Sequence, residues 1–424
     1  MSVYLTNSEI TLEAMRVLKN NLVAAKQCNR EYDKKFGVEG AKIGNVVNAR
    51  KPVRYVGGEG AAIGNSIEDT IETSVPVTLN RQSNVSLQFT AADLLLSMDD
   101  FSRRFITPAA ANLANKIDLA VLGLYKQVPY FVGTPGTVPQ DLDIYLNAGA
   151  SLDNNAAPAD EQRAMIVNPN MQAKIVFALK GLFQSSEKIA QQYEKGKMGI
   201  AAGFNWMTDQ NVWTHTVGTI SGTPTFTSGG APLVVAGVGG GVDYMNGSVV
   251  TAAWGNGTTT LKQGDVISFA KTNLVNPQNR QSIGSLAPFV VTADVSDDGS
   301  GNITIPISPA IIPSGPFQNV DAVPTSGDGV LVFGVASTGF AAITGKATGQ
   351  GIAMHRDAFT LVCADLPMPR GVDMGARVAD EDLGISIRLV RQYDVMTDKL
   401  VTRLDVLYGI ACLRQELAVR VLSA

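Results

Sequence analysis

The sequence predicts an α+β fold with an inserted all-β domain, and three observations support this. Apolar residues recur at helical spacing near the N-terminus and again after Thr107-Pro108. Alternating apolar residues, typical of strands, occur beyond residue 44 and again near the C-terminus. From about Trp213 to residue 346 the chain is rich in Gly, Thr, Ser and Val, and short strand patterns alternate with turn signals. Because helices and strands resume afterwards, we interpret 213–346 as an insertion.

The composition argues for a large core and against a nucleic-acid-binding surface. The 424 residues are 45% hydrophobic and 17% charged, with 42 glycines and a net charge of −4. No basic surplus indicates nucleic-acid binding. The three widely spaced cysteines indicate apolar fillers made in a reducing compartment. We expect no signal peptide and no membrane span, because no apolar run reaches about 20 residues. Low charge with many glycines is typical of a protein that contacts copies of itself.

The first element is a helix predicted over residues 8–35, with Ser8 as its cap. Its apolar face is formed by Ile10, Ala14, Val17, Leu18, Leu22 and Ala25. Such an amphipathic arm needs a partner surface, and we expect a detached arm that finds this surface on another copy of the chain.

Residues 44–100 predict a long two-stranded excursion with a glycine-rich tip at Gly57, Gly58, Gly60 and Gly64. Its alternating apolar positions are Val75, Val77, Leu79, Val85, Leu87 and Phe89. A lone hairpin of this length is marginally stable in water. We therefore expect it to lie across a neighbouring molecule.

The charged residues of this excursion are divided by sign between its two limbs. The outgoing limb carries Arg50, Lys51 and Arg54, and the returning limb carries Glu68, Asp69 and Glu72. One interpretation is that both sets meet opposite charges on another copy. The alternative is a surface hairpin whose limbs satisfy each other's charges, and charge alone favours this alternative.

The middle of the chain predicts a spine helix after Thr107-Pro108, where a capping residue precedes proline at the first helical position. Its buried stripe is Ala111, Leu113, Ala114, Ile117, Val121 and Leu124. Residues 127–160 predict a loop-rich stretch, 163–169 a short buried strand, and 170–194 a further helix.

The C-terminal segment predicts a hairpin that leads into a buried tail. Ile385, Ile387 and Leu389 alternate, residues 396–399 turn the chain, and alternation resumes from Leu400. The stretch "LYGIACLRQELAVRV", residues 407–421, stays apolar almost to the terminus. We expect it to be a sheet strand and its continuation, embedded in the body.

Patterns that suggest catalysis each lack an essential part. His355-Arg356-Asp357 resembles the catalytic loop of protein kinases, but Val362 stands where that loop needs asparagine. A turn with local pairing of Arg356 and Asp357 is the better interpretation. Ser185 and Lys188 have the spacing of a Ser-Lys hydrolase, but the companion motifs of such enzymes are missing.

Patterns that suggest a cofactor or metal site are also incomplete. "AGVGGGVD" places Val242 where a dinucleotide-binding loop needs its third glycine. Asp380-Glu381-Asp382 is interpreted as a turn or cap, with a weak metal site as the alternative. The two histidines, His215 and His355, are far apart in sequence. We therefore predict no enzyme, no cofactor and no metal.

The order of these parts resembles the major capsid proteins with the HK97-type fold, and more specifically the coat proteins of the phage P22 group. "LYGIACLRQELAVRV" resembles the Leu-Tyr-Gly…Arg-Pro-Glu-Leu motif of that group, with Gln415 at the proline position. "LKQGDVISFA" (261–270) resembles a strand of the group's insertion domain. "MHRDAFTLV" (354–362) resembles the segment that re-enters the core after it.

The resemblance implies a structural protein of a tailed double-stranded DNA phage. Hexamers and pentamers would close into an icosahedral shell around the genome, through a scaffolded procapsid that expands. The implied partners are further copies of the chain, a scaffolding protein, a portal and weakly held DNA, and no membrane. The shell would be assembled in the cytoplasm of the bacterial host and would remain in the virion.

The resemblance also implies a division into six parts: a 1–43 N-terminal arm, a 44–98 extended loop, a 99–126 spine helix, a 127–212 first part of the peripheral and axial domains, a 213–346 inserted β-domain and a 347–424 completion. It makes Arg50, Lys51, Arg54, Glu68, Asp69 and Glu72 candidate contacts between subunits. Asp243 is the candidate for an insertion-domain loop that bridges capsomers. Glu9 and Glu13 are candidate scaffold contacts. The alternative function is a β-rich tail or decoration protein of a virion.

Overall fold

The computed structural model describes residues 7–31, 46–58, 67–90, 105–179, 199–234, 242–380, 383–397 and 399–424. The α-helices of these ranges are α1 Asn7–Asn21, α2 Thr107–Leu122, α3 Leu142–Asn154, α4 Pro169–Leu179 and α5 Phe340–Ile343. The 3₁₀ helices are Ala24–Gln27, Gly123–Gln127, Ser337–Gly339, Arg356–Ala358 and Gln415–Leu417.

The strands of the described ranges are numbered in chain order. They are β1 Val46–Arg50, β2 Ser74–Thr78, β3 Arg81–Thr90, β4 Phe131–Val132, β5 Arg163–Val167, β6 Ile200–Ala201, β7 Phe204–Thr208, β8 Thr214–Thr216, β9 Gly222–Val234, β10 Val242–Trp254, β11 Thr260–Leu261, β12 Val266–Val275, β13 Ser282–Val291, β14 Val295–Ser296, β15 Ile303–Ser308, β16 Val330–Val332, β17 Ala347–His355, β18 Phe359–Ala364, β19 Met374–Asp380, β20 Ile385–Asp394, β21 Lys399–Cys412 and β22 Ala418–Leu422.

These elements form two compact units. The first unit comprises the described parts of Met1–Arg50, Ser74–Leu122 and Phe359–Leu413. The second unit comprises those of Lys51–Thr73, Gly123–Ala358 and Arg414–Ala424.

A five-stranded antiparallel sheet organises the first unit, and β21 is its central strand. β20 pairs with β21 through the hairpin that the C-terminal alternation predicts, from Arg388 opposite Asp405 to Asp394 opposite Lys399. β18 continues along the same side of β21, and β19 extends the sheet beyond β20. The C-terminal hairpin is therefore confirmed.

The other side of β21 corrects the prediction for the excursion. β1 pairs with β2, so two strands do leave and return together. β3 does not join them, because all ten of its residues pair with β21 instead. The alternation at Val85 and Leu87 is thus that of a sheet strand.

The N-terminal helix packs on its own chain. α1 contacts α2 and β19, and Ala14, Leu18 and Leu22 are almost completely buried there. The predicted apolar face is confirmed in these residues. The expectation of a detached arm is wrong for α1, because its apolar face is already covered by α2.

The predicted length of this helix is also wrong, because α1 ends at Asn21 rather than near residue 35. Asn20 and Asn21 are poor helix formers. The buried carboxylate of Asp118 then accepts hydrogen bonds from the backbone N–H groups of Val23 and Ala25, each at 2.8 Å. These bonds hold the chain in a 3₁₀ turn. Residues 32–35 lie outside the described ranges.

The second unit holds the C-terminal tail inside a seven-stranded sheet. β22 lies between β17 and β4, and all five of its residues are buried. β5 and β7 extend the sheet on the far side of β17. The tail is apolar because it is an interior strand, as the sequence predicts.

A six-stranded sheet in the same unit has the order β16-β12-β13-β15-β10-β9. Its two ends meet, because Phe226 N donates to Asp328 O at 2.8 Å and Gly327 N donates to Phe226 O at 2.9 Å. Phe269 stands in the core of this sheet, edge-on to Phe226 with ring centroids 5.3 Å apart. The result is a small, barrel-like arrangement.

Other predictions for the middle of the chain vary in outcome. The spine helix is confirmed as α2 and the buried strand as β5. The loop-rich interpretation of 127–160 is wrong, because α3 lies there and buries Tyr145, Ala148 and Leu152. α4 ends at Leu179, and the remainder of the predicted helix 170–194 lies outside the described ranges.

Candidate assembly interface

The base of the excursion is fixed to the first unit by apolar packing. Ala49 of β1 and Val77 of β2 are buried against Val362, Ala411 and Leu413. Residues 46–50 and 74–78 therefore form a rigid stem. The segment between them, described at 51–58 and 67–73, is called the distal loop below.

A glycine of the apolar tail permits this packing. A Cβ atom on Gly409 would overlap the carbonyl oxygen of Thr78 and would lie 2.9 Å from its carbonyl carbon. No other residue leaves room for the stem at this distance. The Tyr-Gly pair of "LYGIACL" thus marks the place where the stem crosses β21.

The outgoing limb of the distal loop is anchored by a charge cluster in the second unit. Arg54 Nη2 donates to Glu416 Oε1 at 2.8 Å, and Arg414 Nε donates to the same oxygen at 3.2 Å. Burial opposes ionisation of Glu416, but the charges of Arg54, Arg414 and Lys51 outweigh it and lower the pKa of this carboxyl group. Glu416 is therefore ionised at neutral pH and holds Arg54 in place.

Two further contacts hold this limb. Lys51 Nζ lies 2.9 Å from the sulfur of Met245, and Arg280 Nη2 donates to the carbonyl oxygen of Tyr55 at 2.9 Å. Residues 51–55 are thus attached to the second unit of their own chain.

Glu68 is used inside the distal loop. Its carboxylate accepts hydrogen bonds from the N–H groups of Val56, at 2.8 and 3.0 Å, and Gly57, at 2.7 Å. Gly57 has a φ of +71°, a conformation that favours glycine. Glu68 therefore ties the returning limb to the outgoing one. Of the other predicted tip glycines, Gly58 is exposed, and Gly60 and Gly64 lie outside the described residues.

The rest of the distal loop faces solvent. Ile67 is 78% exposed and Val56 is 50% exposed. Asp69 is exposed and makes no side-chain hydrogen bond or ion pair among the described residues. Glu72 and Arg50 are also exposed. The described part of the distal loop thus presents an exposed surface that is both apolar and acidic.

The predicted scaffold contacts lie on α1. Glu13 pairs with Arg16, whose Nε donates to it at 2.8 Å. The hydrogen bond from Arg16 lowers the pKa of Glu13. Glu9 belongs to the same helix, but its side chain lies outside the described residues.

Asp243, the predicted bridging residue, begins β10. Its carboxylate accepts a hydrogen bond from the N–H of Met245 at 2.8 Å and from the amide of Asn246 at 2.6 Å. Asp243 thus stabilises a local turn. Leu233 and Val234, across the ladder from it, are exposed.

Buried polar groups in the second unit were not predicted from the sequence. His215 Nε2 bonds to Asp265 Oδ1 at 2.8 Å, and Tyr125 Oη lies 3.2 Å from His215 Nδ1. Arg420 of β22 is completely buried and donates to Gly264 O at 2.7 Å. Burial lowers the pKa of Arg420 to about 10. The alternation of "AVRVL" placed Arg420 within a strand, but not its partners.

His355, the other histidine, does not meet His215 in a shared site. It is buried at the end of β17, where its Nε2 lies 3.2 Å from Asp160 Oδ2 and its Nδ1 accepts from the N–H of Asp357. The predicted turn at Arg356 is confirmed as a 3₁₀ helix. The expected pairing of Arg356 with Asp357 is wrong, because the Asp357 carboxylate lies 3.7 Å from His355 Nδ1 instead.

Among the described residues no group of three or more His, Cys, Asp or Glu side chains is placed to hold a metal ion. Glu381 and Asp382 of the acidic run lie outside those residues. No helix in the described part of the chain is long and apolar enough to span a membrane. The three cysteines are buried and unbridged, as expected for apolar fillers.

Comparison with known protein families shows which family the chain belongs to. The model of the family described as P22 coat protein, gene protein 5, matches residues 10–421. The chain belongs to the P22 coat protein family. It is therefore the major capsid protein of a tailed phage. The tail or decoration alternative is excluded, because the match includes the stem, the spine helix and the C-terminal hairpin.

Solved structures similar to this coat protein include phage capsids. The capsid of Ralstonia phage GP4 is 8% identical, with a TM-score of 0.44, over 95% of this chain and 88% of that one. A chain of Mycobacterium phage Che8 is 14% identical, with a TM-score of 0.43, over 94% and 90%. The CUS-3 coat protein I-domain is 26% identical, with a TM-score of 0.18, over 28% and 96%. The comparison with curated proteins found no match.

Proposed function

We propose that this coat protein assembles into hexamers and pentamers that close an icosahedral shell around double-stranded DNA. Assembly passes through a procapsid built with a scaffolding protein and a portal, and the procapsid then expands. The host cytoplasm is the place of synthesis and assembly. The chain acts as a structural element with no enzymatic step.

The observation that carries this proposal is the distal loop. Its stem is buried in the chain, yet its outer side chains Val56, Ile67 and Asp69 are exposed. A neighbouring copy would cover this apolar surface and supply a partner for Asp69. Each contact needs to be only weakly favourable, because closure of the shell multiplies it.

The charges of the distal loop differ in their availability to a neighbour. Arg54 and Glu68 already have partners in their own chain, and Lys51 lies against Met245. In this proposal these three residues fix the conformation of the distal loop. Asp69 is exposed and makes no side-chain bond among the described residues, so it is the better candidate for a contact between subunits. Arg50 and Glu72 are exposed as well and stay candidates.

The predicted division into six parts is retained as a proposal. The barrel-like sheet β9–β16 supports an inserted β-domain within 213–346. β8, at 214–216, pairs with β17. This pairing moves the proposed start of the insertion beyond residue 216. Asp243 and the exposed Leu233 and Val234 would lie at a loop between capsomers.

Two of the proposed partners, DNA and a scaffolding protein, are supported by the charges of the chain. The net charge of −4 suits a shell that holds DNA weakly, because a strongly basic lining would bind phosphates and oppose packaging. The half-buried Glu13 of α1, and Glu9 four residues before it in sequence, would offer acidic contacts to a scaffolding protein.

Electron microscopy of particles formed by the full chain tests the proposal. We expect closed shells or rings of five and six subunits. A chain that stays monomeric at every concentration, with and without a scaffolding protein, would contradict it.

A further inference from the structure

The sequence contains two Asn-Gly pairs, Asn246-Gly247 and Asn256-Gly257. An asparagine followed by glycine deamidates readily, because without a side chain on the glycine its backbone nitrogen can approach the asparagine amide. Both asparagines are exposed, so water reaches both side chains. The surroundings of the two glycines therefore decide which pair reacts.

The first pair is held by its surroundings. Gly247 is buried in β10, opposite Ile307 of β15 and Pro232 of β9. The side-chain amide of Asn246 donates to the Asp243 carboxylate at 2.6 Å. A backbone nitrogen in a strand that is paired on both sides cannot turn towards the preceding side chain. This pair should therefore react slowly.

The second pair lies in an open turn between β10 and β11. Gly257 is exposed and has a φ of +69°, and a Cβ atom built on it would meet nothing within 4 Å. The side chain of Asn256 makes no hydrogen bond among the described residues. Nothing described around this pair keeps the backbone nitrogen of Gly257 away from the side-chain amide.

A carboxylate also lies at the nitrogen that would react. Asp297 Oδ2 accepts a hydrogen bond from the N–H of Gly257 at 2.5 Å. The same oxygen accepts from the N–H of Gly299 at 3.1 Å, and the backbone N–H of Asp297 donates to Thr259 O at 3.2 Å. These bonds fix the carboxylate in place. Proton abstraction needs a positioned base within hydrogen-bond reach, and Asp297 fulfils this requirement.

We propose that Asn256 is a site of self-catalysed deamidation, with Asp297 as the general base. Gly257 N attacks Asn256 Cγ and forms a cyclic succinimide, while the proton of this nitrogen passes to the Asp297 carboxylate. The C–N bond of the side-chain amide breaks, and ammonia leaves with that proton. Water then opens the ring to aspartate or isoaspartate. The net reaction consumes water and releases ammonia, and no other reactant is needed.

The product changes the turn of the inserted β-domain. The new carboxylate at residue 256 lies near Asp297, and the two like charges repel each other. The turn should loosen as a result. The reaction is irreversible, so modified subunits accumulate as the protein ages. The inference concerns one turn of the folded subunit and does not depend on the proposed assembly.

Peptide mapping by mass spectrometry tests the site in the purified full chain, incubated at neutral pH. Conversion raises the mass of a peptide by about 1 Da. In the folded chain Asn256 should convert at least about ten-fold faster than Asn246, and faster than in guanidinium chloride, where Asp297 no longer lies beside it. In the denaturant the two asparagines should convert at similar rates. Equal rates in the folded chain, or slower conversion of Asn256 there than in the denaturant, would overturn the proposal.

A pair of variants tests the general base. Asp297→Asn keeps the shape of the side chain but removes its basic oxygen, so conversion of Asn256 should slow by about ten-fold. Asp298→Ser is the matched control, because Asp298 binds Asn302 in the same turn and does not bond to Gly257. This control should convert at the unaltered rate. An unchanged or faster rate in the Asp297 variant, or equal slowing in both variants, would overturn the role of Asp297.

Discussion

At the residue scale, Gly409 determines how closely the stem approaches the sheet. Its missing side chain lets the backbone of Thr78 and Leu79 cross β21. The pattern "LYGIACL" predicted a strand, and a glycine within a strand indicates close backbone approach. The sequence did not indicate which segment approaches.

Gly409→Ala should therefore destabilise the first unit. The added methyl group meets backbone rather than a movable side chain, so we expect a loss of about 2 kcal/mol in the free energy of unfolding. Denaturant unfolding of the purified subunit measures it. Gly329→Ala, where an added Cβ meets nothing within 4 Å, is the control and should change stability little. Equal stability of both variants would contradict this account.

Glu416 adds a pH-dependent anchor for the distal loop. Because its pKa is lower in the folded chain than the ordinary 4.5, the folded state binds fewer protons and the ionised carboxyl stabilises it. This contribution is complete above pH 4.5 and is lost as the pH falls through the folded pKa.

Glu416→Gln should cost about 1 kcal/mol at pH 7, because it weakens the bonds from Arg54 and Arg414. The difference from the unaltered chain should shrink as the pH falls below 4.5. Unfolding at pH 7 and at successively lower pH measures it. A difference that stays constant with pH would show that the charge of Glu416 contributes nothing.

At the element scale, α1 shows what an amphipathic sequence pattern can and cannot predict about a helix. The spacing of Ala14, Leu18 and Leu22 predicted a buried face, and the structure buries it. The pattern does not state whether the covering surface belongs to the same chain or to another. The expected partner, a sister molecule, was wrong for this helix, because α2 supplies the surface.

Asp118 holds the turn that follows α1. Asp118→Asn removes one acceptor oxygen and places an amide N–H₂ beside backbone N–H groups, so the unfolding free energy should fall by about 2 kcal/mol. Hydrogen exchange over residues 7–27 should accelerate. As a control, Asp143→Asn on the exposed face of α3 should leave hydrogen exchange over residues 7–27 unchanged. Normal protection of residues 7–27 in the Asp118 variant would contradict the proposed role.

Other elements differed in how well the sequence predicted them. β22 and the β20–β21 hairpin were predicted correctly because their alternation and turn are local signals. α3 was missed, although Tyr145, Ala148 and Leu152 have helical spacing, because the Gly-Thr-Pro and Asn-Asn-Ala-Ala-Pro stretches that flank it suggested a loop. The partner of β3 was predicted wrongly, because alternation gives the faces of a strand and not its neighbours.

The candidate site shows the same limit for its charged residues, because the sequence does not give their partners. The sequence identified the distal loop, but it did not show that Arg54 binds Glu416, more than 300 positions away, or that Glu68 binds the N–H groups of Val56 and Gly57. Such partners depend on tertiary structure. Asp69 was one of six equivalent charges in the sequence. The structure distinguishes it as exposed and without a side-chain bond among the described residues.

At the scale of the whole molecule, the described chain combines a buried core with exposed segments, of which the distal loop is one. The contacts of residues 51–55 and of Glu68 fix the conformation of the distal loop before assembly. Preorganisation of this kind reduces the entropy lost when a neighbour binds. The account therefore requires that residues 67–71 meet another copy and that residues 51–55 stay with their own.

A high-resolution cryo-electron microscopy map of the assembled shell is the most direct measurement of this claim. We predict density for residues 67–71 of every subunit in contact with an adjacent subunit, with Arg54 still bound to Glu416 of its own chain. Residues 67–71 that touch only their own chain, in hexamers and pentamers alike, would contradict it.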